Sequence, residues 1–281
     1  MIGTIGVIGA GQMGGGIAHV CALASYSVHL VDVSGEQLER ALATIRRNLE
    51  RQRDKGIIGA GDVDTALSRI RTDTRAAFPD ADLVIEAATE NEAVKRTLFA
   101  EVCPTLKPDA ILCSNTSSIS ITRLAAATDR PERFMGMHFM NPVPVMALVE
   151  LIRGIATREA TVDAVSEVVR AVGKTAVSVA DFPAFVLNRI LLPMINEAVF
   201  TLQDGVASAA DIDTTMTLGA NHPMGPLALA DLIGLDTCLA IMRVLHEGFG
   251  DPKYRPCPLL MKYVEAGWTG RKSGRGFHAY Q

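Results

Sequence analysis

The run Thr4-Ile5-Gly6-Val7-Ile8-Gly9-Ala10-Gly11-Gln12-Met13-Gly14 decides how this chain folds. Its first six residues form a β-prone apolar segment that stops at glycine, and Ile17 to Ser25 beyond it carry apolar residues through a helical length. Between strand and helix stands the pattern Gly-x-Gly-x-x-Gly. Gly9 permits the tight turn, Gly11 lets a pyrophosphate approach the backbone and Gly14 lets the helix pack on the strand, while the amides at the helix start face the phosphate charge. Seven of the 24 glycines lie in the first 16 residues. The turn gives that density a local reason.

A second strand, Ser27-Val28-His29-Leu30-Val31-Asp32, ends in an acid 18 residues past Gly14. Such an acid accepts hydrogen bonds from the adenosine ribose diol. It would repel a 2′-phosphate, and no arginine follows at Val33, Ser34 or Gly35, so NAD is favoured over NADP. The bland alternative makes the glycines a plain strand-helix turn and Asp32 a cap for the next helix. Every part standing in the required order favours the dinucleotide.

Working outward, 281 residues with 48% hydrophobic and 21% charged side chains make one large or two modest folded domains, and exclude a disordered or fibrous chain. With 27 basic and 31 acidic residues the net charge is −4. That balance argues against a nucleic-acid binder relying on a strongly basic field. Cys21, Cys103, Cys113, Cys238 and Cys257 are odd in number, with no Cys-x-x-Cys pair, and read as reduced, mostly buried thiols. No apolar run reaches the roughly 18 residues of a membrane span, and a strand follows Met1 almost at once, leaving no room for a cleavable leader. The expectation is a soluble cytoplasmic protein.

Leu38, Leu42, Ile45 and Leu49 give the next helix one apolar stripe. Its far end is basic, with Arg46, Arg47, Arg51, Arg53 and Lys55 set against Glu50 and Asp54. Cations near a helix C-terminus are favourable in themselves, and the cluster would equally dock a phosphorylated substrate. Two further strands, Ala81–Ala87 and Ala110–Ser114, are almost wholly apolar, as parallel strands covered on both faces are. Each ends in polar residues, Thr89-Glu90-Asn91 and Asn115-Thr116-Ser117-Ser118, which should face the cofactor crevice beyond the strand ends.

Arg133 to Pro142 places one histidine, His138, in an apolar strand, and Leu148-Val149-Glu150-Leu151-Ile152 places one acid among aliphatics. A charged glutamate there is costly unless paired. His138 on a neighbouring strand is the obvious partner. Oxidising an alcohol needs a base to take the hydroxyl proton as hydride leaves, and an imidazole oriented by a carboxylate is suited to that task. By residue type alone the pair is also consistent with an inert, satisfied core contact. The other five histidines show no metal-ligand spacing.

After Ala176–Asp181 the strand-and-crossover pattern ends. Helical segments follow at Ala184 to Gln203, Ala210 to Leu218, Leu227 to His246 and Leu259 to Ala266. The fold class is therefore α/β, a Rossmann-type dinucleotide-binding domain with a mostly parallel sheet over residues 1–181, followed by an all-α domain over 182–281.

The chain resembles the short-chain 3-hydroxyacyl-CoA dehydrogenase family, and within it the bacterial 3-hydroxybutyryl-CoA dehydrogenases. The resemblance spans essentially the whole length. Its carriers are the glycine fingerprint, Glu90-Asn91-Glu92, Ser114 to Ser118, Gly136 to Pro142 with Glu150, Asn188-Arg189, His222 to Gly225-Pro226 and Gly270 to Phe277. It implies His138 as general acid/base with Glu150 orienting it. It implies that Ser117 and Asn188 hold the substrate oxygen, Asn188 reaching across from the helical domain. NAD would contact Gly9, Gly11, Gln12, Met13, Gly14, Asp32, Glu90, Lys95, Asn115, Ser117, Asn141 and Lys272. Arg51, Arg53 and Lys55 would meet the phosphates of coenzyme A, where relatives carry lysines.

The implied activity is hydride transfer between NAD and carbon 3 of a short-chain acyl-CoA of the 3-hydroxybutyryl/acetoacetyl type, in fatty acid metabolism. No metal is implied. Alternatives are a sister dehydrogenase for a dicarboxylic thioester such as 3-hydroxyadipyl-CoA or for a sugar acid, and a non-catalytic dinucleotide binder. A homodimer through the helical domain is expected, because its apolar excess would otherwise leave large patches bare.

Overall fold

The structure, a computed structural model, describes residues 2–280 and divides the chain into two compact units, Met1–Asp181 and Phe182–Gln281. In the first unit the elements run β1 (Thr4–Ile8), α1 (Gln12–Leu23), β2 (Ser27–Val31), α2 (Gly35–Asp54), α3 (Asp62–Ser68), β3 (Ile70–Asp73), β4 (Leu83–Glu86), α4 (Glu92–Val102), β5 (Ile111–Ser114), α5 (Ile121–Ala125), β6 (Phe134–Phe139), β7 (Leu148–Arg153), α6 (Glu159–Ala171) and β8 (Thr175–Ala180). They build one eight-stranded sheet in the order β3-β2-β1-β4-β5-β6-β7-β8. Every neighbouring pair is parallel except β6 and β7.

The order reverses direction at β1, between β2 and β4. That switch point opens the crevice beyond the strand ends in which α/β sheets bind ligands. β4, β5 and β6 are buried at every residue, as their continuous apolar runs require of strands covered on both faces. α1 packs on β1 and β2, and α2 packs against α1 and α3. α2 starts at Ser34, whose hydroxyl caps Gln37 N, and buries Leu38, Ala41, Ile45 and Leu49.

The second unit holds α7 (Leu187–Gln203), α8 (Ala209–Gly219), α9 (Pro226–Ile233), α10 (Leu235–Phe249) and α11 (Pro258–Glu265) around a separate core that includes Leu192, Ile195, Leu227, Leu239 and Met242. Two boundaries differ from the sequence expectation. Ala184 and Phe185 adopt positive φ (59° and 56°) in a turn closed by Phe185 N donating to Phe182 O, so the helix begins only at Leu187. Gly234, at φ 103°, divides the expected helix Leu227 to His246 into α9 and α10.

The terminal string Gly270 to Phe277 is clasped by Asp231, which is 1% exposed. Its carboxylate accepts Phe277 N, His278 N and the Tyr280 hydroxyl, each at 2.9 Å. Asp213 accepts Leu227 N and Ala228 N and pairs with His278 Nε2 at 2.7 Å. These buried acids find enough donors to offset their desolvation. Much of that motif thus serves the packing of the helical unit.

Candidate active site

The fingerprint folds as the strand-turn-helix unit its glycines suggest. Gly9 sits at φ 96° with Ala87 O only 2.6 Å from where a Cβ would stand, and a Cβ on Gly14 would be driven into the carbonyl oxygen of Gly9. No other side chain could occupy either place without moving the turn. A Cβ on Gly11, by contrast, meets no protein atom within 4 Å, so the backbone there faces open space. Gly11 is also the N-cap of α1, where no side chain caps the helix and no acid stands in the first turn. An uncapped helix start with its positive dipole end suits a pyrophosphate.

Asp32 follows the last residue of β2 and ties the turn down. Its Oδ2 accepts Ala10 N at 2.8 Å and its Oδ1 accepts Ser34 N at 3.0 Å. Each carboxylate oxygen has a lone pair beyond these bonds for a ribose hydroxyl. A groove of about 230 Å³ adjoins the turn, lined among others by Gly11, Gln12, Gln37, Arg40 and Asn141. The residues present therefore fit NAD. Replacing Asp32 with Asn keeps an acceptor and removes the charge, and is expected to lower the preference for NADH over NADPH by about 10- to 100-fold, the worth of one charge-assisted hydrogen bond. The ratio of kcat/KM for the two cofactors measures it.

His138 and Glu150 lie directly opposite each other in the antiparallel β6–β7 pair. Opposite residues share one face of the sheet, so a twelve-residue separation brings the side chains into contact. His138 Nδ1 is 2.9 Å from Glu150 Oε2, with the residues 7% and 2% exposed. An ionised carboxylate only accepts, so the pair places the hydrogen on Nδ1 and leaves Nε2 as the basic nitrogen. The charge of Glu150 then opposes that of an imidazolium as it forms.

The two polar clusters at the ends of β4 and β5 meet. Glu90 Oε1 accepts Thr116 Oγ1 at 2.7 Å, Ser117 N at 2.9 Å, Ser117 Oγ at 3.1 Å and Ser118 Oγ at 2.9 Å. Asn115 Oδ1 accepts Phe139 N at 2.9 Å, so this side chain ties the end of β5 to the residue following His138. Glu90 thus gathers the hydroxyls of Thr116, Ser117 and Ser118 into one cluster at the end of β5, while Asn115 joins that strand end to β6.

Lys95, which the resemblance assigns to the cofactor, has a carboxylate partner within the protein. It is 2% exposed and its Nζ lies 2.7 and 2.6 Å from the two oxygens of Glu86, which is wholly buried and also accepts Ser114 Oγ and Ala88 N. Glu86 thus joins the end of β4 to Ser114 of β5, with the Lys95 ammonium balancing its charge. The signal was in the sequence: Glu86 is an acid ending the apolar run Leu83-Val84-Ile85, the same pattern that singles out Glu150.

The remaining expected residues are dispersed. Asn141 is exposed at the rim of the groove. Arg51, Arg53 and Lys55 are exposed at the C-terminal end of α2, with Arg53 bonded to Asp54. Asn188 is half-buried in the first turn of α7, and Lys272 bonds both oxygens of Asp236 at 2.6 Å within the second unit. All five cysteines are free and buried, and burial pushes the Cys21 and Cys238 thiols up to about 12, which makes them poor nucleophiles. Among the described residues no group of His, Cys, Asp and Glu is arranged to hold a metal, and no helix is long and apolar enough to cross a membrane.

Comparison with known proteins gives two adjoining matches. Residues 4–182 match the family model described as 3-hydroxyacyl-CoA dehydrogenase, NAD binding domain, and residues 185–280 match 3-hydroxyacyl-CoA dehydrogenase, C-terminal domain. The chain is 62% identical to a 3-hydroxybutyryl-CoA dehydrogenase of Bradyrhizobium diazoefficiens, covering 100% of this chain and 96% of that one. It is 47% identical to the protein of the same name in Clostridioides difficile, covering 98% and 99%. The crystal structure of (S)-3-hydroxybutyryl-CoA dehydrogenase from Ralstonia eutropha superposes with a TM-score of 0.98 at 50% identity over 100% of both chains.

Proposed function

This chain belongs to the 3-hydroxyacyl-CoA dehydrogenase family, and we propose from that premise that it interconverts a short-chain 3-hydroxyacyl-CoA and its 3-oxo product, with 3-hydroxybutyryl-CoA and acetoacetyl-CoA as the substrate pair. The observation that carries the reading is the buried His138–Glu150 pair, with β6 joined through Asn115 to the strand end that carries the hydroxyl cluster.

The Gly9–Gly14 turn and Asp32 would hold NAD, which would supply the hydride acceptor for oxidation and, when reduced, the donor for the reverse. In oxidation His138 Nε2 takes the proton of the 3-hydroxyl, and Glu150 stabilises the resulting imidazolium through Nδ1. In reduction the imidazolium returns that proton to the 3-oxygen. Ser117, held by its N–H bond to Glu90, turns its hydroxyl from Glu90 to donate to the same oxygen, and the resemblance adds the amide of Asn188. Glu90 and Asn115 follow the ends of β4 and β5 and Asn141 lines the groove beside the glycine turn, positions consistent with the cofactor contacts that the resemblance implies. The cations Arg51, Arg53 and Lys55 suit the phosphates of coenzyme A.

The helical unit supports the reading of a homodimer. Ile190, Val206 and Leu218 are 67%, 73% and 82% exposed, an apolar surface that association would cover. A cytoplasmic location belongs to the same proposal.

A panel of substrates tests it. NADH oxidation is expected with acetoacetyl-CoA, falling away with longer 3-oxoacyl-CoAs, with a free 3-oxo acid and with NADPH. Turnover of the free acid but of no thioester would favour a sister dehydrogenase instead.

A further inference from the structure

Lys174 is a buried cation that the chemistry above does not use. It follows Gly173 in the turn between α6 and β8 and is 9% exposed. Its ammonium donates to two main-chain carbonyls, Val143 O at 2.6 Å and Met146 O at 2.7 Å. Among the described residues no carboxylate stands within ion-pair distance of it. Burial pulls the group below the usual lysine range.

Both carbonyls belong to the loop that leaves β6 after His138 and returns as β7 with Glu150. Within the loop Pro142 O accepts Val145 N and Met146 N, each at 3.0 Å. Met140 and Val143, the latter set against α1 at Gly16, are its buried apolar anchors, while Val145 and Met146 beyond them are 75% and 41% exposed. The second half of the loop, Val145 to Ala147, is exposed and is not fixed by apolar packing. The ammonium supplies an attachment there, through Met146 O. Thr175 N, the next residue along, donates to Ala147 O at 2.8 Å and continues the same seam into the β7–β8 pairing.

We propose that Lys174 is a positioning residue for the reaction, holding the β6–β7 loop so that His138 and Glu150 keep their register and hydrogen bond. This rests on the reading of that pair as acid/base and orienting acid. Lys174→Met removes the charge at similar length and leaves two carbonyls without their donor; Lys174→Arg returns charged donors.

The test is a cycle in kcat, at a temperature where circular dichroism shows every variant folded. Lys174→Met is expected to lower kcat about 10- to 100-fold, the effect of displacing a reacting group by around 1 Å. Lys174→Arg recovers part of the loss. In a His138→Gln background the same Lys174→Met change is expected to alter kcat less than about twofold, because the group it positions is gone. An equal loss in both backgrounds would place the action of Lys174 elsewhere and overturn the proposal, as would a lowered Tm with kcat unchanged. Near-normal turnover of His138→Gln alone would instead remove the acid/base reading, and the proposal with it.

Discussion

Replacing His138 with Gln lowers kcat by about 10²- to 10⁴-fold, the usual contribution of a positioned general acid/base, while NADH binds nearly as well as to the parent protein. The cofactor turn and Asp32 lie at the ends of β1 and β2 and the start of α1, and neither touches the imidazole through a described hydrogen bond. Glu150→Gln is expected to cost less, about 10- to 100-fold, because orientation survives and the charge that stabilises the imidazolium is lost. Steady-state kinetics with NADH fluorescence titration separate the two effects. An inert core pair would behave otherwise: its removal would lower Tm and leave the kcat of the folded protein near normal.

The second large effect is on stability. Lys95→Met strands the Glu86 carboxylate, wholly buried, with only Ser114 Oγ and Ala88 N as donors. Breaking a buried pair in this way costs about 3–5 kcal/mol, and chemical denaturation should show the loss directly. The double variant Glu86→Gln/Lys95→Met should be less destabilised than the sum of the singles, since no uncompensated charge remains. A Lys95→Met protein with unchanged stability and a raised KM for NADH would return the lysine to the role of a cofactor contact.

How far the sequence carries this account depends on where hydrophobic pattern and function coincide. The fingerprint, β2 with Asp32, and the strands bearing Glu86, Ser114, His138 and Glu150 are legible because central parallel strands are apolar throughout and end abruptly in glycine or polar residues. β3 is not. Ile-Arg-Thr-Asp at the sheet edge buries almost nothing and shows neither alternation nor an apolar run. α6 does carry a stripe, Val162, Val165 and Val169, which a count of helical spacing finds between the strands bearing Glu150 and Val179.

Chemistry was legible where a polar residue interrupts an apolar run, and this is why Glu150 could be matched to His138. Lys95 was harder. On an exposed-looking helix a lysine reads as solvated, and only the approach of α4 to β4 shows its ammonium aimed inward at Glu86. Lys174 is hidden for a related reason: its partners are main-chain carbonyls, which every residue has and no sequence pattern marks. The break at Gly234 and the left-handed turn at Ala184 and Phe185 depend on local packing that helical periodicity does not register.

The central claim is that this chain moves a hydride between NAD and carbon 3 of a short 3-hydroxyacyl-CoA. Incubating the purified protein with 3-hydroxybutyryl-CoA and NAD, and following NADH by absorbance and the thioester by mass spectrometry, tests it most directly. The account predicts one acetoacetyl-CoA formed for each NADH, with formation abolished or nearly so in His138→Gln. Absence of both products from either enantiomer of the substrate, with the protein folded and NADH still bound in titration, would contradict it.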